Sequence, residues 1–557
     1  MDGVASLLDK SLLHQAEQEG GEPRLVMLET IREYGLEVLA ASGEMETSRQ
    51  AHAHYYLALA EEAEPQLRGP EQARWLDRLD REHENLRAVL QRSMSGGDEE
   101  VEHALRLGRV LAEFWFVRGH ASDGRRWVEW VQAERRGSTA VRAGALIQAA
   151  TLAHWRDEYE LAQALSSESL ALYRELGDAQ GMANALFWLG NASQYRSDYA
   201  TARALLEEAL ALFRQVGDQH GTAYALAVLA YTDQGDFQRA RANAEEALAL
   251  FRAQGDKQGI LYALWRLVRC LYLSQADPAR TLALAQEMLV LSREVGFKQT
   301  IAYALGCLGN LALQRGEEDR ARSYLEEALT IHKEIWHPWG IALGIYDLAG
   351  LSMVQRDYTT ARTSYEECLQ RSNAIGDKML LASCLEGLAA AVVAQGIEEG
   401  PVSELFWAAQ LWGVAERLRE SIDGPMYPVQ RASYEQAIAL TSAELGEQAF
   451  AAAWAEGRRL TPEQALAAKR KAIIPTSLPA RPAAAPPMKS ESSPTGLTVR
   501  EREVLRLIAQ GWTDAQIAEH LVISPRTVNR HTTSLYSKLG VSSRAAATRY
   551  ALEHNLL

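Results

Sequence analysis

The segment GDFQRARANAEEALALFRAQGD, residues 235–256, decides the fold because the chain contains close variants of it. The segments DEYELAQALSSESLALYRELGD at 157–178 and RDYTTARTSYEECLQRSNAIGD at 356–377 share its early aromatic residue, the Ala three residues later and the terminal Gly-Asp pair. Apolar residues recur at helical spacing within each segment, and a glycine at this point is typical of a helix C-cap. The sequence therefore predicts a helix that is repeated along the chain.

Two series of markers give a period of about 40 residues. Steps of 40, 38, 41, 40 and 40 residues separate the equivalent helix ends Gly177, Gly217, Gly255, Gly296, Trp336 and Gly376. The same steps separate the small residues Ala162, Ala202, Ala240, Thr281, Ala321 and Ala361, which allow two helices to approach closely. A preceding apolar helix completes each unit as a helical hairpin. Such a hairpin cannot bury both faces alone, so neighbouring units must stack into a superhelix.

The leading helices contain LFWLGNASQY at 186–195 and LGCLGNLAL at 305–313. This pattern resembles tetratricopeptide repeats, with a period longer than the usual value of about 34, over roughly residues 141–396. The resemblance implies an inner groove that holds an effector or a partner, with packing between helices as the alternative role for some groove residues. The groove positions are Asn184, Phe187, Asn191, Tyr224, Tyr231, Tyr262, Trp265, Arg269, Tyr272, Tyr303, Asn310 and Tyr346.

The remainder of the chain divides by composition. We expect a helical cap on the solenoid at 397–472, because helical spacing continues there without the repeat register. Six of the 16 prolines fall within 20 residues at 475–494, which predicts an extended linker at 473–495. From Gly496 to Leu557 there are eight Lys or Arg and five acids, although the whole chain has a net charge of -15. A mildly basic terminal module therefore follows an acidic body.

The terminal module shows four closely spaced helix signals. Thr498 with Glu501 and Thr513 with Gln516 are capping boxes, Ser524 followed by Pro525 begins a third helix, and Ser542 is the N-cap of a fourth. A short helix, a tight turn and a longer helix form a geometry that places a recognition helix in the major groove. On the third helix Val528, Leu535 and Leu539 are spaced to face the core. The opposite face has many hydrogen-bond donors and lacks carboxylates.

The motifs LTVREREVLRLIAQG, IAEHLVIS, RTVNRH and KLGV occur in order within residues 497–541. This arrangement resembles the LuxR-type helix-turn-helix family, which implies a four-helix domain at 496–557 that binds double-stranded DNA. By this resemblance, and by the donor chemistry of its side chains, the DNA-binding positions are Arg526, Thr527, Asn529, Arg530, His531, Thr533 and Lys538. The fourth helix is expected to provide a dimer contact on DNA or to be an Ala-rich packing helix.

The N-terminal block contains VASLLDKSLLHQ, then EGGEP, then RLVMLETIREYGLEVLAASGE. We predict a strand, a turn, a strand and a helix, forming a β-hairpin remnant of a winged helix at 1–48, followed by a helical connector at 49–140. The block resembles the region that joins the ATPase to the repeats in large LuxR-type regulators of the signal-transduction ATPase class. No Gly-x-x-x-x-Gly-Lys-Ser/Thr phosphate loop is present. The chain is either a shortened regulator or part of a longer one.

The sequence therefore predicts an all-α protein: a tetratricopeptide-like solenoid, a terminal helix-turn-helix domain and a small β-hairpin. We expect no catalytic residues, no cofactor and no metal site, since His52 and His54 lie two apart on a helix and the four cysteines form no Cys-x-x-Cys pair. No apolar run was expected to be long enough to cross a bilayer, so we expect a cytoplasmic protein without membrane contact. The leading hypothesis is a transcriptional regulator that binds DNA, an effector and the transcription machinery. The alternative is a protein-interaction adaptor whose terminal domain is vestigial or dimerising.

Overall fold

Gly and Asp set the boundaries of the helical hairpins. In the computed structural model φ is positive at all six predicted helix ends: Gly177 (67°), Gly217 (77°), Gly255 (68°), Gly296 (77°), Trp336 (50°) and Gly376 (75°). The aspartate that follows Gly177, Gly217 or Gly255 caps the next helix, because its carboxylate accepts a hydrogen bond from a backbone N–H three residues later. The Gly-Asp pair therefore ends one helix and begins the next.

The structure describes residues 2–16, 24–67, 71–233, 235–399, 401–468, 499–521, 525–539, 541 and 544–553, in some cases without the side chain. The chain forms two compact units, Met1–Ile473 and Ile474–Leu557. The predicted linker at 473–495 lies outside the described residues.

The first unit begins with helix α1, strands β1 and β2, and the connector helices. Their bounds are α1 Asp2–Asp9, β1 His14–Ala16, β2 Arg24–Val26, α2 Glu29–Ser42, α3 Met45–Ala63, α4 Gln72–Arg81, α5 His83–Ser93, α6 Asp98–Arg118 and α7 Ala121–Ala133. The strands are antiparallel and pair His14 with Val26. The predicted hairpin is present, but the expected strand from Val4 was wrong: these residues form α1, and pairing begins only at His14.

Six helical hairpins follow. Their bounds are α8 Thr139–His154 and α9 Tyr159–Leu176, α10 Ala179–Tyr195 and α11 Tyr199–Val216, α12 Gln219–Thr232 and α13 Phe237–Gln254, α14 Lys257–Ser274 and α15 Pro278–Val295, α16 Lys298–Gln314 and α17 Glu318–Glu334, α18 Pro338–Val354 and α19 Tyr358–Ile375. Each leading helix contacts its own partner helix and the leading helix of the next hairpin. The leading helices therefore form a continuous inner layer of the solenoid.

Small residues allow the two helices of a hairpin to approach closely. The predicted series Ala162, Ala202, Ala240, Thr281, Ala321 and Ala361 is at most 3% exposed. Opposite two of its members, a Cβ at Gly190 would lie 2.8 Å from Leu206 Cγ, and one at Gly309 would lie 2.6 Å from Leu325 Cδ2. Larger side chains at these contacts would separate the helices.

The last helices of the first unit are α20 Lys378–Glu399, α21 Val402–Ser421, α22 Pro428–Leu445, α23 Glu447–Gly457 and α24 Pro462–Ala468. The expectation that no apolar run could cross a bilayer was wrong for α20, because residues Lys378–Gly396 are long and apolar enough by composition. However, 78% of that window is buried among the neighbouring helices. Its apolar character is therefore accounted for by the solenoid core.

The superhelix closes on itself. Backbone N–H of Lys378 donates to Ser197 Oγ at 3.3 Å, although the two residues are 181 positions apart. Helix α22 packs against α14, three hairpins earlier in the chain. The segment before α22 places Tyr427 in an apolar cluster with Tyr199 and Leu273. The cap therefore covers part of the inner surface.

The second unit contains helices α25 Val499–Ala509, α26 Asp514–Leu521, α27 Pro525–Leu539 and α28 Arg544–Glu553. These match the four helices predicted from the capping signals. Val504 and Ile508 of α25 pack with Ile517 of α26 and Val528 of α27. Ala547 and Ala551 of α28 pack with Leu505 and Leu535, so α28 contributes to the core of this unit.

Candidate DNA-binding helix and solenoid interior

Helices α26 and α27 are held in a helix-turn-helix arrangement by capping and by apolar burial. Backbone N–H of Thr513 donates to Gln516 Oε1 at 2.9 Å, and backbone N–H of Gln516 donates to Thr513 Oγ1 at 3.3 Å, which forms the predicted capping box. Helix α27 is anchored through Val528 and Leu535, both fully buried, and Leu539, which is 8% exposed. The buried stripe fixes which face of α27 points outward.

The predicted DNA-binding positions all lie on α27. Asn529 is exposed, His531 is half-buried and Lys538 is exposed. The backbones of Arg526, Thr527, Arg530 and Thr533 are helical, but their side chains lie outside the described residues. The exposed side chain of Asn529 is thus placed where a residue that contacts bases would be expected.

Lys538 has a partner that was not identified from the sequence. Its Nζ lies 2.7 Å and 2.8 Å from the two carboxylate oxygens of Glu501 on α25, and Ser534 Oγ donates to Glu501 Oε1 at 2.7 Å. The Glu501 side chain is only 4% exposed, compared with 38% for Lys538. The ion pair compensates the charge of the buried Glu501 carboxylate and holds α25 against α27. The positive charge of Lys538 is therefore partly neutralised by a carboxylate of the same domain.

An aromatic cluster occupies the interior of the solenoid. The ring of Trp265 stacks with that of Tyr303 at a centroid distance of 4.6 Å and with that of Tyr231 at 6.0 Å. Tyr262 and Arg269 belong to the same helix as Trp265, and the Arg269 guanidinium lies 4.3 Å from the Tyr231 ring centroid. The structure thus brings several of the predicted groove residues together around α14.

Other predicted groove residues lie apart from this cluster. Phe187 of α10 lies edge-on to Tyr224 of α12, and Tyr224 lies edge-on to Phe251 of α13, so both contacts are between helices of the solenoid. Asn191 is buried with its Nδ2 3.5 Å from His154 Nε2, whereas Asn184 is half-buried. Tyr272 packs beside the cluster of Tyr199 and Tyr427, and the Tyr346 hydroxyl accepts a hydrogen bond from Gln430 Nε2 at 2.8 Å.

Burial changes the protonation of several interior groups. It raises the pKa of Asp347 to about 7, although a hydrogen bond from Asn310 favours the carboxylate. It lowers the pKa of His154 and of His332 to about 3, so that both imidazoles are neutral at neutral pH. At neutral pH these two imidazoles therefore contribute no positive charge to the interior.

Two groups of metal-ligand side chains come together away from this interior. Ligand atoms of His83, His120 and Asp123 lie within 4.8 Å of one another, and so do those of His54, Glu99 and His103. His54 is thus beside His103 rather than His52. In the first group Arg87 Nε lies 3.2 Å from Asp123 Oδ1, so a guanidinium already shares the carboxylate. Sequence spacing could not complete these groups, because His54 reaches Glu99 and His103 of α6 from α3, and His83 reaches His120 and Asp123 from α5.

Comparisons with known proteins match both units. Residues 495–551 match the family model for bacterial regulatory proteins of the luxR family, and residues 181–253 and 301–335 match models for the tetratricopeptide repeat. The chain therefore has a luxR-family helix-turn-helix domain and tetratricopeptide repeats, as the sequence motifs predicted.

Two relatives from Mycobacterium tuberculosis are named as regulators. A provisionally named HTH-type transcriptional regulator of Mycobacterium tuberculosis is 34% identical over 195 residues, which are 33% of this chain and 22% of that protein. The provisionally named transcriptional regulatory protein NarL of Mycobacterium tuberculosis is 51% identical over 61 residues, which are 11% of this chain and 28% of that protein. The matched part of this chain thus spans about a fifth of the first relative's length.

A solved structure, that of a signal transduction ATPase with numerous domains and a tetratricopeptide repeat sensor from Pyrococcus horikoshii, aligns with a TM-score of 0.45 and 18% identity. The alignment covers 75% of this chain and 60% of that one.

Proposed function

We propose that this chain is a cytoplasmic transcriptional regulator that binds double-stranded DNA through α27 and senses an effector or partner through its tetratricopeptide solenoid. The observation that carries the proposal is the luxR-family domain at 495–551, whose α27 is anchored by Val528 and Leu535 with Asn529 outward. We expect the chain to regulate transcription without catalysing a reaction.

The chemistry of α27 supports binding in the major groove. Asn pairs bidentately with adenine and Arg with guanine, while Thr527 near the helix N-terminus suits a phosphate. Arg526, Arg530, His531 and Thr533 complete the proposed contact surface. Lys538 is proposed to serve mainly as the partner of Glu501 and to present its remaining N–H capacity to the DNA backbone.

The remaining partners are proposed on the same basis. Two copies of the chain bind neighbouring half-sites, because helix-turn-helix domains of this kind read paired sites as dimers. The DNA-bound regulator then contacts the transcription machinery. The solenoid supplies the signal, since stacked hairpins form an extended inner surface suited to a ligand.

The experiment that tests this function is the selection of bound duplexes from a random pool by the full chain. The proposal predicts enrichment of a defined motif, and Arg530→Ala should lose that enrichment while retaining weaker, unselective binding. Arg293→Ala, on the outer helix α15 of the solenoid, is the matched control and should select the same motif. Selection of no motif by the full chain, with or without effector, would favour the adaptor function instead.

A further inference from the structure

One buried arginine in the solenoid lacks the carboxylate that such residues normally have. Three arginines are buried in the part of the chain that the structure describes: Arg142, Arg266 and Arg419. Arg142 pairs with Glu168 and Arg419 pairs with Glu386. Arg266 is 2% exposed, and its Nε and Nη1 have no hydrogen-bond partner among the described residues. A buried guanidinium without a counterion is unfavourable, so its retention points to an absent anion.

The surroundings of Arg266 are aromatic. Its guanidinium carbon lies 4.2 Å from the ring centroid of Trp265, 4.6 Å from Tyr231 and 4.7 Å from Tyr262. Nη2 donates to the Tyr262 hydroxyl at 2.6 Å. The rings favour the cation, but their faces cannot accept hydrogen bonds from Nε and Nη1 in the plane of the guanidinium. The acceptors beside this guanidinium are neutral tyrosine hydroxyls, those of Tyr262 and Tyr195, and Nε and Nη1 remain without a hydrogen-bond partner among the described residues.

A second arginine extends the positive charge along α14. Arg269 lies one helical turn from Arg266, and its Nη2 donates to the Tyr427 hydroxyl at 3.0 Å, a neutral acceptor. Arg266 and Arg269 line a cavity of about 10 Å³ with Tyr231, Phe237 and Asp233, so an organic ligand needs the space that the segment before α22 now occupies. The Asp233 carboxylate is already paired with Arg203 at 2.9 Å and Arg239 at 3.3 Å, so it does not neutralise this pair.

The chain itself closes this site. Tyr427 belongs to the segment between α21 and α22, and Pro425 of that segment lies against Gly235. Arg419 Nη1 donates to the Pro425 carbonyl at 3.0 Å, which fixes the segment to α21. Tyr231 also borders a second cavity of about 30 Å³, whose lining includes Tyr195, Trp339 and the carboxylates of Asp157 and Asp377. Because those two acids would repel an anion, the arginine side of Tyr231 is the side suited to one.

We propose that the solenoid interior binds a small organic anion whose carboxylate or phosphate is held by Arg266 and Arg269, and whose apolar part lies among Tyr231 and Trp265. The anion replaces the Tyr427 hydroxyl on Arg269 and displaces the segment before α22. A small ligand is favoured over an extended peptide because the site is enclosed by the cap. The inference deepens the sensing role given above and rests on it.

The test uses the full chain and three probes: benzoate, phenyl phosphate and the neutral benzyl alcohol. Thermal stability is measured with each probe up to about 10 mM, at ionic strength matched with chloride, since a ligand that binds the folded state raises the melting temperature. Benzoate or phenyl phosphate should stabilise the wild-type chain, and benzyl alcohol should not. The difference between the two anion arms distinguishes a carboxylate from a phosphate ligand.

The variants locate the effect. Arg266→Met and Arg269→Met should weaken anion binding by about 10- to 100-fold, whereas Arg293→Met should bind like wild type. Tyr427→Phe removes the competing hydroxyl and should bind the anion about fivefold more tightly. Arg266→Met should also melt at a higher temperature than wild type without ligand, because an uncompensated buried charge has been removed.

The inference is overturned if neither anion stabilises the wild-type chain, or if the anions stabilise Arg266→Met and Arg269→Met to the same extent as wild type. DNA binding by the same preparations separates the two proposals. Anion binding that depends on Arg266 without any DNA selection would sustain the inference and contradict the proposed regulator. DNA selection without anion binding that depends on Arg266 would support the proposed regulator and contradict the anion site.

Discussion

The ion pair between Arg419 and Glu386 should be among the most costly interactions of the solenoid to break. Arg419 Nε lies 2.6 Å from Glu386 Oε1 and its Nη2 lies 2.7 Å from Oε2, and the side chains are 9% and 8% exposed. Arg419→Met leaves the Glu386 carboxylate buried without its counterion. Removing one member of such a pair costs about 3–5 kcal/mol. The loss of the hydrogen bond to the Pro425 carbonyl adds about 1 kcal/mol.

The free energy of unfolding is measured by urea denaturation with tryptophan fluorescence, because Trp407 and Trp412 lie buried in the same part of the solenoid. The matched control is Arg371→Met, which breaks the exposed pair with Glu367 and should cost no more than about 0.5 kcal/mol. The double variant Arg419→Met/Glu386→Leu should regain most of the loss, since no buried charge remains. A cost below about 1 kcal/mol for Arg419→Met, or strict addition of the two single effects, would refute this reasoning.

Three further predictions concern strain, charge and protonation. Trp336 has a positive φ of 50° and is 87% exposed, a backbone conformation that glycine adopts without strain. Trp336→Gly should therefore raise the free energy of unfolding by about 1 kcal/mol, whereas Trp336→Ala should not. Equal stability of the two variants in thermal denaturation would contradict this prediction. Lys538→Met removes the ammonium group that pairs with Glu501 and should destabilise the C-terminal domain by about 1 kcal/mol, a value reduced by the solvent exposure of Lys538. The added change Glu501→Gln should restore the melting temperature of that domain, and a melting temperature unchanged by Lys538→Met would contradict the prediction. Burial lowers the pKa of His332 to about 3 from an ordinary 6.5, so the unfolded chain takes up a proton at a higher pH than the folded chain does. The stability that the neutral, buried His332 gives the folded state is therefore fully present above pH 6.5 and is lost as the pH falls toward 3. Between about pH 7 and pH 5 the wild type should therefore lose about 2 kcal/mol more than His332→Leu in urea denaturation, and parallel losses in the two proteins would disprove the assignment.

Local signals predicted the repeat and the terminal helices well. The positive φ at Gly177 and its equivalents and the buried Ala162 series follow from patterns that repeat every 40 residues or so. The capping box of Thr513 and Gln516 is equally local, since both partners lie within one helical turn. Residues 4–9 were misread because a short apolar run suits a strand or a helix equally well without a distinguishing period.

Contacts between distant segments were not predictable in the same way. The groove positions predicted from the repeat pattern include Arg269 but not Arg266. Only the fold shows that the Arg266 guanidinium is buried among the rings of Trp265, Tyr231 and Tyr262. Tyr427 reaches Arg269 from 158 residues away, and Lys538 meets Glu501 across two helices. Such pairings depend on how the superhelix closes and on how the helices pack, and neither is encoded in residue spacing.

The salt dependence of duplex binding is the most direct measurement of the central claim that α27 binds DNA. We expect the logarithm of the association constant of the full chain for its selected duplex to fall linearly with the logarithm of salt concentration, with a slope of about -0.9 for each phosphate neutralised. Arg530→Ala should lose base preference, whereas Arg293→Ala should match the wild type in both slope and affinity. An affinity that is independent of salt concentration, or that is equal for the selected duplex and a scrambled one, would contradict sequence-specific DNA binding by α27.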